Sequence, residues 1–174
     1  MSRGRLLLLR HAKADWPQED IRDADRPISP KGRRAIEPIA EYLAASGIEP
    51  DLVLCSSALR TRQTLERLAD ALPPSVPVLT EDRLYLAEPN DLLSRLREID
   101  EGVPTVMLIG HNPGIHALAV GLLTAAERHR IPTFPTAALA VQELLVSRWA
   151  ELGPGTTRLV DFVTPRSLRA DVDG

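Results

Sequence analysis

Four short apolar runs, at residues 6–9, 52–55, 76–79 and 106–109, alternate with longer stretches of helical spacing, and this alternation restricts the possible folds most. Runs that are apolar at nearly every position suit strands buried on both faces, as in a parallel sheet covered by helices. The third run is the weakest, because Pro77 interrupts it. Between the runs, Ile36, Ile39, Ala40 and Leu43 recur at i, i+3, i+4 and i+7, as do Leu65, Leu68, Ala69 and Leu72, and Ile115, Leu118, Ala119 and Leu122. Ser29 followed by Pro30 signals the first helix start, with Pro38 predicting a kink or a late start. Asn90 is the expected N-cap of a helix carrying Leu92, Leu96 and Ile99. Beyond about residue 135 the spacing becomes strand-like, at Leu139 and Val141 and again at 159–163, with a turn at Gly153, Pro154 and Gly155. The expected fold is α/β, a three-layer sandwich with a mostly parallel central sheet flanked by helices. It forms one domain over residues 1–174, with a frayed tail from about 166.

Composition removes several function classes. A net charge of −3 offers no basic surface for nucleic acid and no polybasic stretch for an anionic membrane. The single cysteine, Cys55, cannot form an internal disulfide or a structural zinc cluster, which fits a reducing cytoplasm. Run 6–9 is too short for a membrane span or a signal sequence.

Unusual polar residues follow the strands. Arg10 and His11 come after the first run, Ser56, Ser57 and Arg60 after the second, and His111 and Asn112 after the fourth. Ligands of open α/β sheets bind at the carboxyl ends of strands, so parallel neighbouring strands would bring these clusters to one crevice. Guanidinium forks match phosphate oxygens, and a neutral imidazole offers a nucleophilic nitrogen. Helix starts at Ser57 and at Pro113-Gly114 would add backbone donors for an anion. The combination points to phosphoryl transfer. Segment 15–29, rich in Asp and Arg, is either a loop bordering the site or a solvated connector.

Leu9-Arg10-His11-Ala12-Lys13, the segment from Ser56 through Arg60 to Gln63-Thr64, and Gly110-His111-Asn112-Pro113-Gly114 together resemble the motifs of the histidine phosphatase superfamily. Asp25-Arg26-Pro27 and Leu84-Tyr85-Leu86-Ala87 are similar to the SixA-type phosphohistidine phosphatases. The resemblance implies a phosphoglycerate mutase-like fold, His11 as nucleophile, and a phosphate pocket of Arg10, Arg60 and His111. Asn112, beside His111 at the strand end, is a further substrate-binding candidate. It implies no metal or organic cofactor. The implied substrate is a phosphorylated protein bearing phosphohistidine. A small phosphate ester, phosphotyrosine or phosphoserine is the alternative, as is a phosphate-binding module without turnover.

Mutase and sugar-phosphatase relatives carry a glutamate acid after the third strand, where this chain has Leu84-Tyr85-Leu86. Glu88 is the nearest replacement, with Asp82 and Asp15 behind it. An imidazole leaving group needs less protonation than a sugar alkoxide, so the missing acid favours phosphohistidine. Among the remaining residues, His116 is expected to pack or support the site, and His129 to sit in a solvated basic loop. Arg62 is expected at the surface and Cys55 inert in its strand, while Lys13 and Asp15 are open between the rim and solvent. A metal hydrolase reading lacks any His-Glu-x-x-His or comparable ligand set.

Overall fold

In the computed structural model, which describes residues 3–172, six strands form a single sheet. They are β1 (Arg5–Arg10), β2 (Leu52–Ser56), β3 (Val78–Glu81), β4 (Thr105–Gly110), β5 (Leu139–Leu144) and β6 (Thr157–Val163). Their order across the sheet is β3-β2-β4-β1-β5-β6. The first four pair in parallel, while β5 pairs antiparallel with both β1 and β6. The expected mostly parallel α/β sandwich is therefore present, closed on one side by an antiparallel pair.

Alternation along the central strands divides the core into two layers. Leu6, Leu8, Leu54, Val106 and Leu108 face α3 (Pro89–Arg97) and α4 (Gly114–Leu122), whose Leu92, Leu96, Ile115 and Leu118 complete that layer. On the other face, Leu7, Leu9, Val53, Met107 and Ile109 pack with Ile36, Ile39 and Leu43 of α1 (Pro30–Ser46). Helix α2 (Leu59–Arg67) lies on the same face, and Leu68 just after it joins this layer. With aromatics at only 3% of the sequence, aliphatic side chains fill most of both layers.

The expected Ser29-Pro30 start is present, and several other local expectations are corrected. Helix α1 begins at Pro30, where the Ser29 hydroxyl accepts the Gly32 N–H at 3.0 Å, and it runs through Pro38. Proline leaves the Arg34 carbonyl without its helical donor, and Arg169 approaches that oxygen at 3.4 Å. That arginine belongs to α5 (Pro165–Val172), a helix where a frayed tail was expected. Leu168 of α5 packs against the second core layer, which supplies the burial that a free tail would lack. Helix α2 stops at Arg67, and the predicted spacing to Leu72 continues as a 3-10 turn at Ala69–Ala71. Strand β3 starts after Pro77, which has no N–H to donate, and forms a sheet edge with Val78 and Leu79 exposed. Glu88, not Asn90, is the N-cap of α3, with Pro89 in the first helical position. Among the described residues, no helix is long and apolar enough to cross a membrane.

Candidate active site

The parallel register does the first part of the assembly. Arg10 pairs with Gly110 across β1 and β4, so His11 and His111, each one residue further on, emerge side by side. The His11 N–H donates to the Gly110 carbonyl at 3.1 Å, and the two ring centroids lie 5.2 Å apart. Cys55 pairs with Ile109 on the other side of β4, which sets Ser56 beside His111. Ser56 Oγ and His111 Nε2 are 2.7 Å apart. The strand-end clusters of β1, β2 and β4 thus converge because these strands are parallel neighbours.

The local hydrogen bonds of His11 select its tautomer. Its Nδ1 lies 2.7 Å from the Ala12 carbonyl, an acceptor only, so Nδ1 carries the proton and the Nε2 lone pair remains available. Thr64 holds this turn against α2: its hydroxyl accepts the Ala12 N–H at 2.9 Å and donates to the Arg60 carbonyl at 2.7 Å. Burial brings the His11 pKa down to about 4, with Arg60 and Arg10 adding repulsion and the Ala12 bond opposing. Burial, His11 and Arg60 bring His111 to about 3. Both imidazoles are neutral at pH 7.

Arg10, His11, Arg60, His111 and Asn112 line one cleft of about 340 Å³. Arg10 Nη1 and Asn112 Nδ2 both donate to the Phe134 carbonyl, at 3.0 and 2.9 Å, so one backbone oxygen orients two site residues. Among the described residues, Arg10 Nε and His111 Nδ1 are buried with no hydrogen-bond partner. Burial and the Arg60 charge lower the pKa of Arg10, a crowding of like charge that a bound oxyanion would relieve. Such an arrangement can receive a tetrahedral oxyanion beside a neutral nucleophile.

Segment 15–29 is a border of this site. Arg26 and Lys13 line the cleft. Asp23, in a 3-10 turn at Asp23–Asp25, takes Arg60 Nη2 at 3.0 Å, Arg26 Nη1 at 3.2 Å and the Tyr85 hydroxyl. Burial works against ionisation of Asp23, but the bonds from Tyr85, Arg60 and Arg26 hold its pKa at about 2. Arg26 also stacks on Trp16, 3.9 Å above the ring. The spacing of polar residues alone does not single out Asp23, Tyr85 or Thr64. Tyr85 and Thr64 could be read only through the resemblance, while the polarity and length of segment 15–29 were the residue-level signals for Asp23 and Arg26.

Other candidates lie elsewhere. Glu88 is exposed at the start of α3 and does not line the cleft, whereas Leu86, 51% exposed, does. Asp82 is also exposed, and Asp15 caps the Trp16 N–H at 2.9 Å. Among the described residues, those lining the cleft include no carboxylate. His116 bonds the Ile131 carbonyl at 3.0 Å, and His129 is exposed in a 3-10 turn. Arg62 is at the surface. Cys55 is fully buried, and burial pushes its thiol up to about 12, which leaves it unreactive. Among the described residues, no three His, Cys, Asp or Glu side chains gather in a metal-holding group.

Residues 6–109 match the family model of the histidine phosphatase superfamily, branch 1. An uncharacterized protein of Mycobacterium tuberculosis is 37% identical over 165 residues, covering 91% of this chain and 100% of that protein. The phosphohistidine phosphatase SixA of Escherichia coli is 31% identical over 139 residues, covering 78% and 82% of the two chains. The structure of the protein histidine phosphatase SixA complexed with tungstate superposes with a TM-score of 0.78 at 25% identity, over 94% of this chain and 99% of the other.

Proposed function

The chain belongs to the histidine phosphatase superfamily, and from that premise we propose that it removes phosphate from phosphohistidine on a protein, through a transient phosphohistidine at His11. The observation that carries the substrate class is the cleft lining: Leu86 lies at the border, in the segment that the resemblance aligns with the acid of ester-cleaving relatives, and among the described residues no carboxylate lines the cleft. The nearest carboxylate in contact with the site residues, Asp23, is held ionised and has no proton to give.

In the first step, His11 Nε2 attacks phosphorus in line, a new N–P bond forms, and the substrate P–N bond breaks. The leaving imidazole keeps the electron pair of that bond and departs neutral when its other nitrogen already carries a proton. Arg10 and Arg60 neutralise the phosphoryl oxygens, with His111 and Asn112 as further polar contacts. The Nδ1–H bond to the Ala12 carbonyl stabilises the positive ring that phosphorylation of Nε2 creates. Water then attacks the phosphohistidine and releases phosphate, dividing one difficult displacement into two. The tungstate-bound SixA relative supports an oxyanion site in this fold.

The test is a panel of a phosphohistidine protein, a phosphotyrosine peptide and sugar phosphates, with His11→Ala as control. The expected result is preferential turnover of phosphohistidine and an acid-labile phosphoenzyme absent from the variant. Faster turnover of the esters would overturn the substrate class. A phosphoenzyme persisting in His11→Ala would overturn the nucleophile. Phosphate binding with no turnover of any substrate would leave the phosphate-binding module as the function.

A further inference from the structure

Next to the catalytic cleft lies a wider groove of about 780 Å³, walled by Lys31 and Arg34 of α1 and by Arg166 and Arg169 of α5. We propose that this groove docks an acidic segment of the phosphoprotein substrate, adjoining the phosphorylated histidine; the proposal rests on the phosphohistidine reading.

Three observations carry it. First, the groove reverses the sign of the molecule. The whole chain has a net charge of −3, yet these four cations line the groove, and no carboxylate lines it among the described residues. None of the four forms an ion pair with a described carboxylate, whereas Arg83, Arg95, Arg130, Arg148 and Arg158 all do. The charge belongs to the side chains, because the first turn of α5 is already capped: the Thr164 N–H bonds Ser167 Oγ at 2.9 Å, and the Ser167 N–H bonds Thr164 Oγ1 at 3.0 Å.

Second, the groove and the catalytic cleft share a wall. Thr136 lines both, and Thr133 and Pro135 line the groove on either side of Phe134, whose carbonyl holds Arg10 and Asn112. A chain lying in the groove therefore reaches the site that receives its phosphoryl group. Third, the groove is more than twice the volume of the cleft, larger than inorganic phosphate requires and suited to several residues of an extended peptide. Side chains of Asp or Glu complement its four cations, and such complementarity selects partners and speeds encounter.

The experiment uses two histidine peptides phosphorylated chemically with phosphoramidate. One carries four Asp or Glu residues on one side of the phosphohistidine, and the other carries Asn or Gln there. The wild-type protein is compared with Lys31→Glu/Arg166→Glu, and with Lys31→Gln/Arg166→Gln should charge reversal impair folding. Wild type should prefer the acidic peptide by about tenfold in kcat/KM at low ionic strength, mainly through KM, and added salt should erode the preference. The variant should lose that preference while hydrolysing phosphoramidate itself at the wild-type rate. Equal use of both peptides by wild type, or a preference retained in the variant, would overturn the groove assignment. Should neither phosphopeptide be turned over, the phosphohistidine reading fails. The groove is then judged by fluorescence anisotropy of the unphosphorylated acidic peptide, whose binding must weaken in the variant for the assignment to stand.

Discussion

Acidification from pH 7 to pH 5 should destabilise this protein through its two site histidines. In the unfolded chain an imidazole has a pKa of about 6.5 and is almost fully protonated at pH 5. In the folded chain His11 and His111, at about 4 and about 3, are still neutral at that pH. The unfolded state therefore binds more protons between pH 6.5 and pH 4, and stability falls as pH falls through that window. Linkage converts each depressed pKa into a loss of about 2 kcal/mol by pH 5, or about 4 kcal/mol for both. Asp23 does not obscure this range, since with its pKa of about 2 it loses its stabilising ionisation only at lower pH. Urea denaturation at steps between pH 7 and pH 5 measures the effect. With a slope of about 2 kcal/mol/M, the midpoint should fall by about 2 M. Replacing His111 by Gln should remove about half of the pH dependence. A midpoint that does not move in wild type, or proton titration of both rings near the ordinary histidine value, would refute the burial argument.

Other perturbations test the supporting contacts. Thr64→Val keeps the side-chain shape but strands the Ala12 N–H, so it should cost about 1–3 kcal/mol in urea denaturation and slow phosphoenzyme formation. Gly114→Ala would place a methyl carbon 2.0 Å from the Ala87 carbonyl oxygen, and should destabilise by about 1–3 kcal/mol or more; an unchanged denaturation midpoint would contradict that close approach. Glu88→Gln should leave turnover of phosphohistidine and of phosphate esters unchanged, because Glu88 is exposed at the start of α3 and does not line the cleft; a loss on esters alone would give it the acid role.

Much of the fold was legible because burial leaves a local record. Strands covered on both faces must be apolar at successive positions, and this marked β1, β2 and β4. Edge strand β3 is covered less, so its apolar pattern was weak and its boundaries shifted past Pro77. Helix α5 was missed because its charged sequence reads as solvated; it is ordered by Leu168 against the core and by Arg169 at a carbonyl that Pro38 leaves free. The resemblance set Leu84-Tyr85-Leu86 where related enzymes carry an acid, and the structure has Leu86 exposed at the cleft.

Local apolar patterning marked where the central strands end, and with that made Arg10, His11, Arg60, His111 and Asn112 the candidates for one site. Tertiary structure alone decided their protonation and orientation, since the Ala12 carbonyl, the Ser56 hydroxyl and the burial that lowers both histidines act through space. It also decided that Asp23 and Tyr85, 62 positions apart, share one bond behind Arg60. Periodicity reports the face a residue buries, but a hydrogen bond between distant segments depends on how strands and loops are placed, which no local pattern records.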